Sequence, residues 1–410
     1  MGEIKQGYKQ TEFGLIPEDW EIRTIGEVAK ITTGRKNTED KIDYGTFPFY
    51  VRSQIIEKIN SYSFDCEGVL TAGDGVGTGK VFHYINGKFD FHQRVYLIYK
   101  FDNKLFGKYF YWFFSRSFYD RMNQLTAKSS VDSVRREMIA DMPIILPTLA
   151  EQTAIATALS DVDNLIAALD KKITKKQQIK QGAMQQLLTG KKRLPGFSGN
   201  SKFKQTELGL IPEDWDVIEL GEISANIGYG LGAAAISYDG ENKYIRITDI
   251  DERTRKFSPS PLSSPTFFLD SFHVNEGDIL FARTGASVGK SYLYNKNDGR
   301  LIFAGFLIRF NIVNAIPEYV YYHTFTRKYN EWILSESART GQPGVNVEQL
   351  KSFQIPFPKD FAEQTAIAQV LTDMDNEISQ LEADRNKYEQ IKAGMMQQLL
   401  TGKVRLMVND

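Results

Sequence analysis

The segment KQTEFGLIPEDW at Lys9–Trp20 is repeated, with one change, as KQTELGLIPEDW at Lys204–Trp215. A second pair of repeated segments, Ala150–Leu194 and Ala362–Leu406, begins with AEQTAIA and ends with MQQLLTGKKRL or MQQLLTGKVRL. Each repeat is far longer than the roughly 20–50 residues of a solenoid unit, so it corresponds to a domain plus a connector. The repeated segments form a constant frame, and such a frame predicts a protein that performs one task twice.

Residues 33–149 and 228–361 lie between the repeated segments and share little sequence. Both contain short runs of alternating apolar and polar residues, such as FDFHQRVYLIYKF and RLIFAGFLIRF, that are typical of strands. Each also contains an aromatic-rich segment of helical character, so each variable domain is predicted to be α+β. The predicted division is 1–149 for the first domain, 150–190 for a long helix, 191–361 for a linker and the second domain, 362–402 for a second long helix, and 403–410 for a tail.

The repeated segments after each domain have the pattern of long helices. Apolar residues from Ile155 to Ile173 are spaced alternately by four and three, which is a heptad pattern. Gly190 and Gly402 stand at the C-terminal ends, where a residue with positive φ is favoured. Each segment is therefore predicted to be a helix of roughly 40 residues, about 60 Å long. Either the two helices pack on each other as an antiparallel pair, or each packs only on its own domain.

Composition restricts the class of protein. The 410 residues, 42% hydrophobic and 25% charged, are ordinary for a globular chain of roughly two to four domains. Cys66 is the single cysteine, which excludes a disulfide framework and fits a reducing cytoplasm. The N-terminal MGEIKQGYKQTEFG has no apolar stretch, so we expect no secretory signal, and no apolar run is long enough to span a membrane. The net charge of −1 does not by itself indicate DNA binding.

Two Gly-rich segments resemble phosphate-binding loops, but both are one residue too short. A P-loop has a Gly, four residues and then Gly-Lys-Ser/Thr, whereas counting back from Gly79 and Gly289 reaches Asp74 and Thr284. The chain contains no Pro-Pro pair, which argues against the Asn/Asp-Pro-Pro-aromatic loop of an adenine methyltransferase. The four histidines are scattered, without metal-ligand spacing. We therefore expect no catalytic residue, no metal site and no cofactor in this chain.

The repeated blocks, in this order, closely resemble the specificity subunit of type I restriction–modification systems. The resemblance is carried by LPTLAEQTAIA and FPKDFAEQTAIA, by MQQLLTG at both helix ends and by the twin GLIPEDW segments, and it covers essentially the whole chain. It implies an α+β fold with two target-recognition domains in a pseudo-twofold arrangement, joined by two long antiparallel helices that form a coiled-coil rod. Each domain would read one half of a split DNA site, and the helices would set the spacer.

The same resemblance implies the partners. Two DNA adenine methyltransferase subunits would dock on the chain, and motor and nuclease subunits would join for restriction, in the cytoplasm. S-adenosylmethionine, ATP and Mg²⁺ would belong to those partners.

Base reading requires Arg, Lys, Asn or Gln at base edges, and Ser, Thr and backbone amides commonly contact phosphates. On this chemistry the predicted DNA-contacting residues of the first domain are Arg52, Ser53, Lys80, His92, Gln93, Arg94, Lys128, Ser129 and Ser130. Those of the second domain are Arg246, Thr248, Arg283, Thr284, Lys290, Arg339, Thr340 and Gln342. Four glutamines recur at the ends of the two helices, namely Gln185, Gln186, Gln397 and Gln398. We expect them first to contribute to helix pairing and, as the second interpretation, to bind a partner.

Two unlike domains on a repeated frame predict a two-part, non-palindromic DNA site, because symmetric dimers read palindromes. Two other functions are alternatives to DNA recognition. A single-chain enzyme with its own specificity would need the missing methyltransferase loop. A coiled-coil scaffold with protein-binding end domains fits the same periodicity.

Overall fold

The computed structural model describes residues 6–126, 133–197, 202–338 and 344–406. The chain forms two compact units, of which unit 1 comprises Met1–Lys171 with Ala383–Asp410 and unit 2 comprises Lys172–Glu382. Both long helices therefore contribute one part to each unit. Among the described residues, no helix combines the length and the apolar character that crossing a membrane requires.

Unit 1 contains a six-stranded sheet in the order β4-β9-β7-β8-β5-β6, in which only the β5–β8 pair is parallel. Its strands are β1 Tyr8–Thr11, β2 Gly14–Pro17, β3 Glu21–Thr24, β4 Lys30–Thr33, β5 Phe47–Tyr50, β6 Glu57–Ile59, β7 Phe64–Ala72, β8 Phe82–Phe91, β9 Val95–Tyr99 and β10 Pro143–Leu146. Its short helices are α1 Ile25–Val28, α2 Gly107–Thr126 and α3 Arg136–Ala140, with a 3-10 turn at Thr38–Asp40. The aromatic face of α2 packs on the sheet, as the predicted α+β character requires.

Unit 2 contains a four-stranded sheet in the order β14-β21-β18-β19 and a separate parallel pair, β16-β20. Its strands are β11 Phe203–Thr206, β12 Gly209–Pro212, β13 Trp215–Glu219, β14 Ser224–Tyr229, β15 Ala235–Ser237, β16 Lys243–Ile245, β17 Ser263–Pro265, β18 Asp278–Ala282, β19 Ser291–Leu293, β20 Leu301–Phe303, β21 Leu307–Ile312 and β22 Gln354–Pro358. Its short helices are α5 Pro317–His323, α6 Arg327–Ser337 and α7 Val347–Lys351, with 3-10 turns at Ile247–Asp249, Asp270–Phe272, Gly285–Ser287 and Lys296–Asp298.

The two predicted long helices are present as α4, Leu149–Leu187, and α8, Phe361–Leu399. Each has 39 residues and is therefore about 60 Å long. Gly190 and Gly402 follow their ends with φ of 66° and 71°, as predicted for C-terminal caps. A Cβ at Gly190 would lie 2.4 Å from Pro212, and one at Gly402 would lie 2.4 Å from Pro17, so tight packing requires glycine there as well.

Each unit buries the beginning of one long helix together with the end of the other. In unit 1 the shared core includes Ile155 and Leu159 of α4 with Leu399 and Leu400 near the end of α8. In unit 2 it includes Ile367 and Leu371 of α8 with Met184, Leu187 and Leu188 at the end of α4. The helices thus pair with each other and also pack on the domains, so the alternative in which each packs only on its own domain is not the arrangement present.

Ion pairs between α4 and α8 fix their direction within each unit. In unit 1, Asp170 contacts Arg385 at 2.6 Å and Asp163 contacts Lys392. In unit 2, Lys176 contacts Glu377 at 2.7 Å and Lys180 contacts Asp375 at 2.5 Å. Partner numbers fall along one helix as they rise along the other, so the pairing is antiparallel, as predicted.

In unit 1 the three repeated motifs meet in one network of Glu, Arg and Trp. Glu151 of AEQTAIA is 1% exposed, and its Oε2 accepts hydrogen bonds from Trp20 Nε1 at 3.1 Å and from Arg405 at 2.6 Å. Arg405 also donates to both carboxylate oxygens of Asp19 at 2.8 Å. This pairing lowers the pKa of Asp19, mainly through the hydrogen bond from Arg405. We call this arrangement the Glu–Arg–Trp network.

Unit 2 repeats the Glu–Arg–Trp network with the other copy of each motif. Glu363 accepts from Trp215 Nε1 at 3.1 Å and from Arg193 at 2.5 and 2.6 Å. Arg193 also donates to Asp214 at 3.0 and 3.1 Å. The repeated segments are therefore similar because each unit needs all three motifs to close the same network. Arg193 and Arg405, assigned from sequence to a linker and a tail, are integral parts of their units.

Candidate nucleic-acid interface

The variable parts of the two units share one local backbone arrangement around a Gly-rich turn. In unit 1 the turn follows β7, and the amide of Gly73 donates to the carbonyl of Arg94 at 2.8 Å. In unit 2 the turn follows β18, and the amide of Arg283 donates to the carbonyl of Phe306 at 3.1 Å. Position 283 therefore corresponds to 73, and 306 corresponds to 94. The same backbone carries different side chains at these places.

In unit 1 this place holds a cluster of charged residues. Asp74 accepts a hydrogen bond from Arg52 at 2.8 Å, and its other oxygen lies 3.7 Å from Arg94 Nε. His92 is buried beside them, and its Nδ1 accepts a hydrogen bond from the amide of Arg94 at 2.9 Å. Burial, and next the charge of Arg52, lower the pKa of His92, so the neutral ring that accepts this bond is favoured. The structure thus brings together Arg52, His92 and Arg94, and Asp74 orients both arginines.

The remaining predicted residues of this unit lie around the cluster. Gln93 is exposed and donates to Asn37 Oδ1 at 2.5 Å, which fixes its amide. Ser53 donates to the carbonyl of Ile55 at 3.1 Å. Lys80 is exposed at the end of the turn, with its ammonium 5.4 Å from the ring of Tyr119. Gln93 and Lys80 therefore keep polar groups available to a ligand.

In unit 2 the corresponding place is an arginine held between two aromatic rings. The guanidinium of Arg283 lies 4.9 Å from the ring centre of Tyr229 and 5.7 Å from that of Phe306. Both rings are partly exposed, Tyr229 by 43% and Phe306 by 60%. Thr284 begins the 3-10 turn Gly285–Ser287 and is half-buried. Arg283 is thus presented at the surface in a defined orientation.

Lys290 has its ammonium occupied within unit 2, which disfavours the DNA contact predicted for it. Its side chain is 5% exposed, and its ammonium donates to the carbonyl of Ile250 at 2.8 Å and to Glu252 at 2.6 Å. The hydrogen bond from Lys290 lowers the pKa of Glu252. Lys290 therefore ties the Gly-rich turn to the segment that follows the 3-10 turn Ile247–Asp249.

Arg246 has two of its three side-chain nitrogens occupied within the unit. Its Nε and one terminal nitrogen each donate to Asp249 at 2.8 Å, and Asp249 is buried. This hydrogen-bonded pair raises the pKa of Arg246. The pair with Asp249 holds Arg246 at the start of the 3-10 turn, whereas Thr248 in the same turn is exposed, and DNA contact by either residue stays a prediction.

Six predicted residues, Lys128, Ser129, Ser130, Arg339, Thr340 and Gln342, lie outside the described residues. Gln185, Gln186, Gln397 and Gln398 are exposed. Met184, Leu187 and Leu399 beside them pack into the cores, and helix pairing by the glutamines stays a prediction. Partner binding by the glutamines stays a prediction.

The sequence prediction missed the residues that hold the arginines. In the sequence Asp74 is notable only as the position reached in the phosphate-loop count, and Tyr229 and Phe306 are not among the predicted DNA-contacting residues. The one sequence signal for the two aromatics is their flanking glycines, in GYG at 228–230 and AGF at 304–306. A Cβ at Gly230 would lie 2.2 Å from the carbonyl oxygen of Ala304, so glycine allows the two strands to approach closely.

The chain matches the family described as the type I restriction modification DNA specificity domain, over residues 17–181 and 212–393. It is 26% identical to the MjaVIII type I restriction enzyme specificity subunit of Methanocaldococcus jannaschii, over 98% of both chains. It is 25% identical to the EcoDI specificity subunit of Escherichia coli, over 84% of this chain and 79% of that one. Its fold is similar to the crystal structure of a type I S subunit from M. genitalium, with a TM-score of 0.64, 15% identity and coverage of 93% of this chain and 96% of that one.

Proposed function

This chain belongs to the type I restriction–modification DNA specificity family, and we propose that its two units read the two unlike halves of one asymmetric DNA site. The chain is the sequence-specific DNA-recognition subunit of a restriction–modification complex. What remains to be assigned is how the recognition is divided. The predicted fold of two recognition domains with two long helices agrees with this membership.

One observation supports the proposal that each unit reads its own half-site. The Glu–Arg–Trp networks are the same in both units down to individual hydrogen bonds, whereas equivalent surface positions carry different side chains. Unit 1 presents Arg52 and Arg94 held by Asp74, and unit 2 presents Arg283 held by Tyr229 and Phe306. Because base pairs are distinguished by the donors and acceptors in the major groove, different side chains on one backbone will select different bases.

We also propose that the chain itself catalyses no reaction. The two Gly-rich turns do not suit a nucleotide phosphate, since Asp74 would repel it in one and Lys290 is occupied in the other. Burial raises the pKa of the Cys66 thiol, which disfavours the nucleophilic thiolate. Methyl transfer with S-adenosylmethionine, and ATP- and Mg²⁺-dependent restriction, are then activities of partner subunits in the cytoplasm.

The repeated exposed glutamines support docking of two copies of one partner. Gln185 and Gln186 in α4 and Gln397 and Gln398 in α8 occupy equivalent places in the repeat and are exposed in both units. Two equivalent surfaces can bind two identical subunits, which fits two DNA adenine methyltransferase subunits, with motor and nuclease subunits joining that assembly.

The proposed function is tested by mapping methylated adenines in a genome that encodes the partner methyltransferase, with and without this chain. We expect methylation at a two-part, non-palindromic motif that depends on the chain. The purified chain with DNA and S-adenosylmethionine should transfer no methyl groups. A palindromic motif, or methyl transfer by the chain alone, would contradict the proposal.

A further inference from the structure

Arg283 differs from Arg246 and Arg309 of unit 2, since among the described residues no carboxylate or carbonyl accepts a hydrogen bond from its side chain. Arg246 is paired with Asp249, and Arg309 donates to the carbonyls of Asn226, Ser271 and His273. Within the part of the chain that the structure describes, the Arg283 guanidinium contacts the two aromatic rings, and its Nε is buried without a hydrogen-bond partner. A purely structural arginine would have its donors satisfied.

The two rings supply what an arginine needs to recognise a planar ligand. Stacking of Tyr229 and Phe306 near the guanidinium limits its rotation, so little side-chain entropy remains to be lost on binding. The backbone holds the rings in place, since Gly230 N donates to the carbonyl of Leu307 at 3.0 Å and Gly305 N donates to that of Leu231 at 2.8 Å. The terminal nitrogens of an oriented guanidinium form a fork of parallel N–H donors.

On the proposed function, we propose that Arg283 reads a guanine in the half-site of unit 2, by donating two hydrogen bonds to its O6 and N7. Guanine is the base that presents two adjacent acceptors in the major groove, and a guanidinium fork matches them. Tyr229 and Phe306 act as positioning residues that hold the fork toward the base. Unit 1 has Gly73 at the position of Arg283 and Arg94 at that of Phe306, so this contact is particular to the second half-site.

The test uses the chain assembled with its methyltransferase subunits and a set of duplexes in which each specified base pair is replaced singly. R283A should lose about five- to 150-fold in discrimination at one G·C pair of the second half-site and keep discrimination in the first half. R283K retains the charge but not the fork, and it should lose discrimination at the same pair. R327A is the matched control, since Arg327 is an exposed arginine of the same unit paired with Glu331 at 2.6 Å. It should leave every position unchanged.

A base analogue identifies the contact itself. Replacing that guanine by 7-deazaguanine removes N7, which should weaken methylation by the wild-type complex and have no further effect on R283A. F306A should weaken the same position, and F306Y should restore it, because a ring is what positions the guanidinium.

The outcomes separate the two levels of the proposal. A wild-type complex without a two-part motif would overturn the proposed function. If the wild-type complex has such a motif, two results would overturn the role of Arg283 alone. One is that R283K still discriminates at every position, and the other is that the effects of R283A and 7-deazaguanine are additive. Thermal unfolding of each assembled variant shows whether it is folded, and R283K serves if R283A is not.

Discussion

Glu151 and Arg405 lie 254 residues apart in the sequence and form an ion pair of 2.6 Å in unit 1. Arg193 and Glu363 form the corresponding pair in unit 2, with the helices exchanged. Each unit is therefore closed by a residue that follows one long helix and a residue that begins the other. Each repeated motif supplies at least one residue to each network, from one copy in unit 1 and from the other copy in unit 2.

Replacing Arg405 by alanine should destabilise unit 1 by about 2–3 kcal/mol, since Glu151 is left buried without its cation while Arg405 itself is partly solvated. R193A should do the same to unit 2. Amide hydrogen exchange, read separately for the two units, measures both effects. D19N is the control, because it removes only the exposed partner of Arg405 and should cost at most about 1 kcal/mol. If R405A reduced protection from hydrogen exchange equally in both units, Arg405 would not belong to the network of unit 1 alone.

Replacing Lys290 by alanine should destabilise unit 2 rather than weaken DNA contact. The carbonyl of Ile250 loses its donor, which costs about 1–3 kcal/mol when the group is buried. Chemical denaturation measures this loss, and binding of the assembled complex at several salt concentrations measures the contact. If Lys290 contacted a phosphate, its replacement would instead reduce the slope of log K against log[salt] by about one. An unchanged unfolding midpoint with a reduced salt slope would restore the role first expected from the sequence.

The long helices and the repeated frame could be predicted because both leave local signals, namely heptad spacing, caps and repeated motifs. The bond from Arg405 to Glu151 could not, since no local pattern indicates which distant segments meet. The burial of Lys290 could not be predicted for the same reason, since it depends on the distant segment at Ile250 that accepts its hydrogen bond. The placement of the Tyr229 and Phe306 rings beside Arg283 depends on the register between β14 and β21, and a one-residue shift would separate the rings.

The stability of unit 2 should decrease as the pH falls from 6.5 toward 3, owing to His323. Its ring is buried in contact with Tyr319, and burial lowers its pKa from 6.5 to about 3. The unfolded chain binds a proton below pH 6.5, whereas the folded unit does not until about pH 3, so stability is lost across that interval. One such group contributes about 1.4 kcal/mol per pH unit. Hydrogen exchange of unit 2 between pH 6.5 and 5 should show a steeper loss for the wild type than for H323F, and equal slopes would exclude His323 as the cause.

Matched insertions in both helices should lengthen the spacer between the half-sites. An insertion after Leu188 would fall inside unit 2, between Leu188 in the core and Arg193 in the network. Four residues inserted after both Lys171 and Glu382 lie instead where the units divide. They lengthen each helix by about 6 Å, which is nearly two base-pair steps of about 3.4 Å. They also turn each helix about 40° beyond a full turn, so the domain stays on nearly the same face. Methylation mapping should show a spacer longer by about one or two base pairs, with the specified bases unchanged. Full activity on the original spacer would show that the helices do not set it.

The most direct measurement is methylation mapping after exchange of the variable part of unit 1 alone. Residues 33–142 are the segment to replace with that of a homologue, because β3 and β10 pair with each other and the same pairing recurs between β13 and β22 of unit 2. One half of the methylated motif should change, and the other half and the spacer should stay as they were. A change in both halves, or in neither, would contradict independent reading of the two half-sites by the two units.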